Sequence, residues 1–143
     1  MKKVAKLVIV DPRGRHLLMY RSNHPVFGDD PDLPGGTLEE GEQPLETMVR
    51  EVYEEAGIVI DGATVQEVYV GTDYSTRGTQ DSLYMTALQA TPQVLMSWEH
   101  SSYEWLTRDA FLEKAKSAND TYMHMVYDVM NAMKVDDYVQ SSE

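Results

Sequence analysis

The 143-residue sequence contains no cysteine, only two phenylalanines and two tryptophans, and half as many basic as acidic residues. Without cysteine it can form neither a disulfide framework nor a thiolate metal site, which agrees with a reducing cytoplasm. No apolar run approaches the roughly 20 residues that a membrane-spanning helix needs. We therefore expect a cytoplasmic protein that does not enter the membrane.

The excess of negative charge argues against one class of partner. The 24 acidic and 12 basic residues give a formal net charge of −12. This charge repels DNA and RNA at long range, so binding to a nucleic-acid polymer is not expected. The length suits one domain that buries its own core. We predict a single domain over residues 1–143, with a tail that frays from about residue 135.

Strand and helix patterns alternate along this domain. Apolar-rich segments at 3–10 and 16–21 flank the turn residues 11–14, which predicts two strands joined by a tight turn. Residues 22–36 are rich in Gly, Pro and Asp and predict a long exposed loop. Further strands are predicted at 64–74, 81–90 and 103–106, and further helices at 107–116 and 120–134. Because helices should cover both sheet faces, we predict an α/β sandwich.

The densest charge lies in residues 36–58, GTLEEGEQPLETMVREVYEEAGI, where seven glutamates and one arginine supply half of the net charge. Pro44 suits a first helical position and Gly57 suits a left-handed C-terminal cap, so a helix is predicted from 44 to 56. An apolar stripe should pack this helix on a sheet. The stripe consists of Leu45, Met48, Val49, Val52 and Ala56.

Three glutamates, Glu51, Glu54 and Glu55, project from one patch of this helix, because an α-helix turns by about 100° per residue. Like charges at these spacings repel each other, and more strongly where water is partly excluded. A bound cation would offset that cost. Mg²⁺ is commonly held by a few carboxylates together with phosphates and waters, so the patch predicts a divalent-cation site.

Arg50 is the one basic residue of the segment. It follows Glu46 by one helical turn and Glu42 by two, so a bidentate ion pair can hold the acidic loop against the helix. Gly35 and Gly36 supply backbone freedom where the chain must turn sharply and expose a carbonyl or amide to a ligand. Loop and helix are therefore expected to form one unit over the metal site.

The spacing of these residues resembles the Nudix hydrolase signature, G-x5-E-x7-R-E-U-x-E-E-x-G-U, in which U is aliphatic. Every fixed position is met, by Gly36, Glu42, Arg50, Glu51, Val52, Glu54, Glu55, Gly57 and Ile58. The resemblance implies an α/β/α sandwich with a mixed β-sheet. It also implies hydrolysis of a phosphoanhydride in a nucleoside diphosphate linked to another group. Mg²⁺ is the implied cofactor, with Mn²⁺ as a substitute, and a small nucleotide is the implied partner; a homodimer stays open.

The same resemblance assigns roles to single residues. The implied metal ligands are Glu51, Glu54, Glu55, the backbone carbonyl of Gly35 and, downstream, Glu99. The implied catalytic group is Glu54, Glu51, Arg50 and Glu42. Family members differ in which glutamate takes the proton of the attacking water, and Glu54 is the first candidate. For Glu99, which resembles an extra base or metal ligand of many members, the alternative is a surface loop glutamate.

Substrate contacts lie outside the signature. Arg21 resembles an arginine that contacts phosphate in some members, with a surface ion pair as the alternative. Phe27 is a candidate to stack on a base or to pack locally. Tyr74 resembles the tyrosine of dinucleoside polyphosphate hydrolases. His24 and His100 are expected to be ordinary polar loop residues.

The residues before the signature favour one substrate class. The run 33–36, Leu-Pro-Gly-Gly, resembles MutT-type nucleoside triphosphate pyrophosphohydrolases. The alternatives are a hydrolase of dinucleoside polyphosphates, nucleotide sugars or ADP-ribose, and a nucleotide-sensing module without turnover. A sensing module often loses the signature carboxylates, all of which are present here.

Overall fold

The structure is a computed structural model that describes residues 1–21, 30–75 and 77–134. Its strands are β1 (Lys3–Val10), β2 (His16–Arg21), β3 (Pro31–Asp32), β4 (Gly35–Thr37), β5 (Gln66–Gly71), β6 (Gln80–Ala87) and β7 (His100–Leu106). Its helices are α1 (Pro44–Ala56), α2 (Arg108–Lys116) and α3 (Thr121–Ala132), and a 3-10 turn covers Gly62–Thr64. Within the described ranges, no helix has the length and apolar character that crossing a membrane requires.

Strand β1 occupies the centre of a mixed sheet. It pairs in parallel with β6 and antiparallel with β2 and β4. The sheet runs in the order β3-β2-β1-β6-β5, with β4 added on β1 and β7 added on β2. Residues 7–10 of β1 are completely buried, as expected for a strand that is covered on both faces.

Helices cover both faces of this sheet and create two cores. On one face α1 packs against the odd-numbered residues of β1, and on the other face α2 and α3 pack against the even-numbered ones. The first core includes Ala5, Leu7, Ile9, Met48, Val52 and Ala56. The second core includes Val8, Val10, Phe111, Met123, Met125 and Val126. The α/β/α sandwich with a mixed sheet is therefore confirmed, and the methionines of α3 are core residues.

The helix boundaries follow their capping residues. Helix α1 begins at Pro44 and ends before Gly57, whose φ of 70° is left-handed. The side chains of Thr107 and Asp120 accept backbone N–H groups in the first turns of α2 and α3. Each cap satisfies a donor that the helix itself leaves unpaired. These three helix positions agree with the sequence prediction to within about two residues.

Four details of the prediction are wrong. The strand predicted at 81–90 runs from 80 to 87. The strand predicted at 64–74 runs only from 66 to 71, because the side chain of Asp61 accepts the N–H of Ala63 and caps a 3-10 turn before it. The strand predicted at 103–106 begins earlier, at His100. Leu45 belongs to the first turn of α1 and is 36% exposed, so it lies at the margin of the apolar stripe.

The long loop expected at 22–36 is also wrong in its second half. Asp30, Asp32 and Leu33 are buried, because residues 31–32 pair with β2 and residues 35–37 pair with β1. Residues 22–29, which include His24 and Phe27, lie outside the described residues, as does the tail from 135 to 143.

Val52→Ala should lower the free energy of unfolding by about 2 kcal/mol, because truncating a buried side chain loses apolar burial and leaves a cavity. Val52 is 0% exposed, whereas Val59 is 80% exposed, so Val59→Ala is the matched control and should cost less than about 0.5 kcal/mol. Urea unfolding followed by circular dichroism measures both. Equal destabilisation by the two variants would contradict the packing face assigned to α1.

Candidate active site

The C-terminal turn of α1 is tied to the segment that precedes β7. The backbone N–H of Leu95 donates to the carbonyl of Ala56 at 2.8 Å, and that of Ser97 donates to the carbonyl of Glu55 at 3.1 Å. These two bonds satisfy carbonyls that the end of a helix leaves unpaired. They also hold the segment that carries Glu99 beside the carboxylates of α1.

Arg50 is the centre of an ion-pair network on α1. Its Nε and Nη2 donate to Glu42 at 2.9 and 3.0 Å. Its Nη1 donates to Glu51 at 2.9 Å and to Glu54 at 3.2 and 3.3 Å. The hydrogen bonds from Arg50 are the main reason why the pKa of Glu42 falls to about 2. The bidentate pair expected from a spacing of two helical turns is thus present.

Glu51 lies directly against β4. A methyl group at Gly36 would lie 2.9 Å from Cδ of Glu51 and 3.0 Å from Oε2, so a side chain at position 36 would displace this carboxylate. Burial raises the pKa of Glu51, the charge of Arg50 opposes that rise, and the charges of Glu54 and Glu99 add to it. Glu51 is therefore a carboxylate crowded by others at the edge of the core.

Glu55 is the most buried of the α1 carboxylates that form the patch. It is 7% exposed, and its Oε2 accepts the N–H of Gly35 at 2.8 Å. Burial raises the pKa of Glu55 to about 9 against the effect of that N–H, and a hydrogen bond with Glu99 adds to the rise. Gly35 has a φ of 143°, and a Cβ there would lie 2.3 Å from the carbonyl oxygen of Ala5. Only glycine fits at the point where β4 meets Glu55.

The donor chemistry of this cluster fits a hard divalent cation. The carboxylates of Glu51, Glu54, Glu55 and Glu99 are the oxygen ligands that Mg²⁺ and Mn²⁺ prefer. In the part of the chain that the structure describes, no three acidic or histidine side chains already form a metal cage. Arg50 supplies positive charge beside Glu51 and Glu54. A divalent cation would meet the carboxylate oxygens of the same cluster.

A cleft of about 520 Å³ reaches Gly36, the residue that touches Glu51. Its walls come from β1, β2, β4, β6, the loop between β5 and β6, and the start of α3. The charged side chains that line it are the basic ones of Lys2, Lys6, Arg21 and Arg77 and the acidic ones of Asp81 and Asp120. Clustered positive charge attracts anionic groups, so this cleft suits a ligand that carries phosphates.

Two of those basic residues are anchored by a buried carboxylate. Asp32 accepts a hydrogen bond from Nζ of Lys6, and it lies 3.4 Å from Nη2 of Arg21 and 3.2 Å from Nε2 of His100. Burial alone would raise the pKa of Asp32, but Lys6, His100 and Arg21 outweigh it and hold the pKa well below its ordinary value. Asp32 therefore stays ionised and holds Lys6 and Arg21 in place at the cleft.

A family comparison agrees with this geometry. A family model described as NUDIX domain matches residues 1–126. The chain belongs to the NUDIX domain family. The match includes the whole carboxylate cluster and the residues that line the cleft, so both features belong to the NUDIX domain.

Individual relatives support the same assignment. The "MutT-like protein" of Streptomyces ambofaciens is 32% identical over 107 residues, which are 75% of this chain and 64% of that protein, slightly less than two thirds of its length. The MutT protein from Methanosarcina mazei Go1 has a TM-score of 0.65 at 22% identity, covering 92% of this chain and 95% of that one. A C. elegans Ap4A hydrolase in a binary complex has a TM-score of 0.67 at 20% identity, covering 92% and 93%. At such identities the two solved structures establish the NUDIX fold alone.

The structure brings most of the predicted site residues together. The grouped residues are Gly35, Glu42, Arg50, Glu51, Glu54, Glu55 and Glu99. Arg21 lines the cleft and forms an ion pair with Asp120 at 2.7 Å. Tyr74 is not among the described residues that line the cleft, and its hydroxyl donates to Asp128 of α3 at 2.6 Å. Phe27 lies outside the described residues, and the functional roles of all these residues stay predictions.

The prediction that His100 is an ordinary polar loop residue is wrong. The sequence did not reveal its buried neighbours Asp32 and Lys6 either. His100 is 6% exposed and belongs to β7, which pairs with β2 and brings the ring to Asp32 across 68 positions of sequence. One feature of the sequence does indicate a buried ion pair here. Lys6 interrupts an apolar strand, and a charged residue at such a position is almost never buried without a partner.

Arg50→Ala should lower the melting temperature and accelerate amide exchange at Glu39, because the N–H of Glu39 donates to the carboxylate of Glu42 at 2.7 Å and Arg50 holds that carboxylate. Arg50→Lys keeps the charge but loses the planar fork, so it should restore only part of the protection. Hydrogen exchange with mass spectrometry measures both. Unchanged exchange at residues 39–42 in Arg50→Ala would refute the anchoring role.

Metal-free protein should become less stable as the pH rises from about 5 to 9. The folded state holds the Glu55 proton up to a pKa of about 9, whereas the unfolded chain releases it near 4.5, so deprotonation favours unfolding. Glu55→Gln should remove most of this slope in urea unfolding with EDTA at pH 5, 7 and 9. Glu40→Gln, at an exposed position, should keep it. The same slope in Glu55→Gln would show that another group causes it.

Proposed function

We propose that this protein is a divalent-cation-dependent hydrolase of nucleotide phosphoanhydrides, acting on a nucleoside triphosphate to give a nucleoside monophosphate and pyrophosphate. One observation carries the proposal: a cleft with four basic side chains meets the carboxylate cluster at Gly36. Phosphate chains need positive charge for binding, and cations need carboxylates. Gly36 lies where the two needs would be met side by side.

The basic cleft would bind the substrate, and the carboxylate cluster would hold the cation that the reaction needs. Lys2, Lys6, Arg21 and Arg77 line the cleft and would attract the triphosphate. Glu51, Glu54, Glu55 and Glu99 would hold Mg²⁺ or Mn²⁺ beside it. Without a cation, phosphates and carboxylates repel each other at close range. An acidic protein can therefore bind an acidic substrate in the presence of the cation.

The reaction breaks the anhydride bond between the α- and β-phosphates. The oxygen of a water molecule forms a bond to phosphorus, pyrophosphate leaves with the bridging oxygen, and a carboxylate takes a proton of the water. When bound, the divalent cation supplies charge neutralisation for the phosphates and lowers the pKa of the water. We assign the proton transfer to Glu54. Its side chain is 54% exposed and is held by Nη1 of Arg50, so it can reach a water at the mouth of the site.

The choice of a nucleoside triphosphate as the substrate rests on similarity to MutT-type proteins. The relative from Streptomyces ambofaciens is named "MutT-like protein", and the run before the signature resembles MutT-type enzymes. The tyrosine that would favour a dinucleoside polyphosphate, Tyr74, is hydrogen-bonded to Asp128 and not among the cleft residues. Dinucleoside polyphosphates, nucleotide sugars and ADP-ribose are therefore the alternatives that a substrate test must include.

The purified protein should convert nucleoside triphosphates to monophosphate and pyrophosphate when Mg²⁺ is present and not in EDTA. Chromatography of products from triphosphates, dinucleoside polyphosphates, ADP-ribose and nucleotide sugars identifies the bond that is broken. Glu54→Gln should lower kcat by about 100-fold or more, the range for losing a general base. Glu40→Gln removes an equal charge from the exposed loop before α1 and should retain activity.

Two results would contradict the proposal. Orthophosphate in place of pyrophosphate would place the broken bond elsewhere. Tight nucleotide binding by calorimetry without any product, in folded protein with Mg²⁺, would favour the sensing module instead. Full activity in Glu54→Gln would leave the reaction class intact but reassign the base, and Glu99→Gln would be tested next.

A further inference from the structure

Two groups from distant parts of the chain contact the side chain of Glu55, the most buried carboxylate of the patch. The N–H of Gly35 donates to it at 2.8 Å, and the carboxyl of Glu99 forms a hydrogen bond with it. Neither group belongs to α1, so the position of each depends on what holds its own segment. For Glu55 and Glu99 to meet one cation, both segments have to be fixed against α1.

The segment that carries Gly35 is fixed by one oxygen of Asp32. The N–H of Leu33 donates to Oδ1 of Asp32 at 2.8 Å, and the same oxygen accepts a hydrogen bond from Nζ of Lys6. Lys6 lies directly opposite Gly35 in the pairing of β1 with β4. Oδ1 therefore ties the chain just before Gly35 to the strand on which Gly35 pairs.

The segment that carries Glu99 is fixed by the other oxygen of Asp32. Oδ2 accepts a hydrogen bond from Nε2 of His100 at 3.2 Å. The backbone N–H of His100 donates to the carbonyl of Ser97 at 3.4 Å and closes a turn that contains Glu99. Nδ1 of His100 is buried and has no hydrogen-bond partner among the described residues. In this part of the chain, only the bond to Asp32 orients the ring by hydrogen bonding.

Only an ionised carboxylate at position 32 can serve both segments. Asp32 is 7% exposed, and a buried charge costs free energy unless it is paired. Pairing with Lys6 through Oδ1 offsets that cost, so it does not account for the bond from His100 to Oδ2. An amide has a single acceptor oxygen. Asparagine could therefore hold the Lys6 side or the His100 side, but not both.

We propose that Asp32 is a positioning residue for the divalent-cation site: one of its oxygens fixes Gly35, which holds Glu55, and the other fixes Glu99. The inference deepens the proposed function and rests on it for one point, that Glu55 and Glu99 hold the cation. Asp32 acts on the cation through its neighbours and is not itself a ligand. Its removal should therefore weaken cation binding without removing any ligand.

Binding of Mn²⁺, measured from the paramagnetic resonance signal of the free ion, tests this role. Nucleotide is left out because Asp32 also holds two basic residues of the cleft. Asp32→Asn should weaken Mn²⁺ binding by about tenfold or more, as expected when a partner behind the metal ligands is lost. Asp30→Asn is the matched control and should bind Mn²⁺ as wild type does. Asp30 is also 7% exposed, but its carboxylate accepts the N–H groups of Asn119 and Asp120. Equal weakening by both variants would overturn the proposal.

Variants of His100 keep the test valid if Asp32→Asn does not fold. His100→Ala removes the hydrogen bond to Asp32 and should weaken Mn²⁺ binding several-fold. His100→Gln offers an amide N–H in its place and should recover part of the affinity. In a Glu99→Gln background, His100→Ala should have no further effect, because changes that act through one shared partner do not add. An equal loss in both backgrounds would show that His100 does not act through Glu99 and would overturn the proposal.

Failure of the hydrolase function has a separate signature. Weaker Mn²⁺ binding by Asp32→Asn, in a protein whose wild type hydrolyses no nucleotide, would support the positioning role and refute the hydrolase. Unchanged Mn²⁺ affinity in folded Asp32→Asn, with cation-dependent hydrolysis by wild type, would do the reverse. A wild-type protein that binds no Mn²⁺ would overturn both. Melting curves without metal show which variants are folded.

Discussion

One guanidinium balances the repulsion of an entire acidic segment. Arg50 contacts Glu42 of the loop and Glu51 and Glu54 of the helix, and these carboxylates would otherwise separate. The loop and α1 keep their relative positions because this charge lies between them. The carboxylates of α1 are therefore gathered before any cation binds. A cation that binds there would exchange with existing contacts and would not have to order a mobile segment, so the entropic cost of its binding would be low.

Strand β4 lies between two surfaces of opposite charge. This three-residue strand pairs with β1, and its glycines separate the carboxylates of α1 from the basic cleft. Gly35 donates its N–H to Glu55, and Gly36 borders both Glu51 and the cleft. Any larger side chain there would push the carboxylates away or narrow the passage. At Gly36 only this short strand lies between the cleft and the carboxylate of Glu51.

The sequence predicts the carboxylate cluster well and the cleft poorly, for a physical reason. Most of the cluster is local. Arg50, Glu51 and Glu54 are related by helical periodicity within α1, and Glu42 lies in the loop directly before it, so spacing alone brings them together. The cleft is assembled from β1, β2, β4, β6 and α3, and its residues range from Lys2 to Tyr122. Only the parallel pairing of β1 with β6 and the docking of α3 bring Asp81 beside Lys6. No periodicity in one segment encodes such a contact.

The backbone bonds from Leu95 and Ser97 to the end of α1 affect how this protein can vary in length. They fix the point from which the chain reaches Glu99. The connection between β6 and Leu95 can gain or lose residues without moving Glu99, since the two backbone hydrogen bonds hold the segment that follows it. The single residue between Ser97 and Glu99, Trp98, has no such freedom, because an insertion there would shift the carboxylate away from Glu55. Natural or engineered differences in loop length should therefore occur before Leu95 and be absent between Ser97 and Glu99.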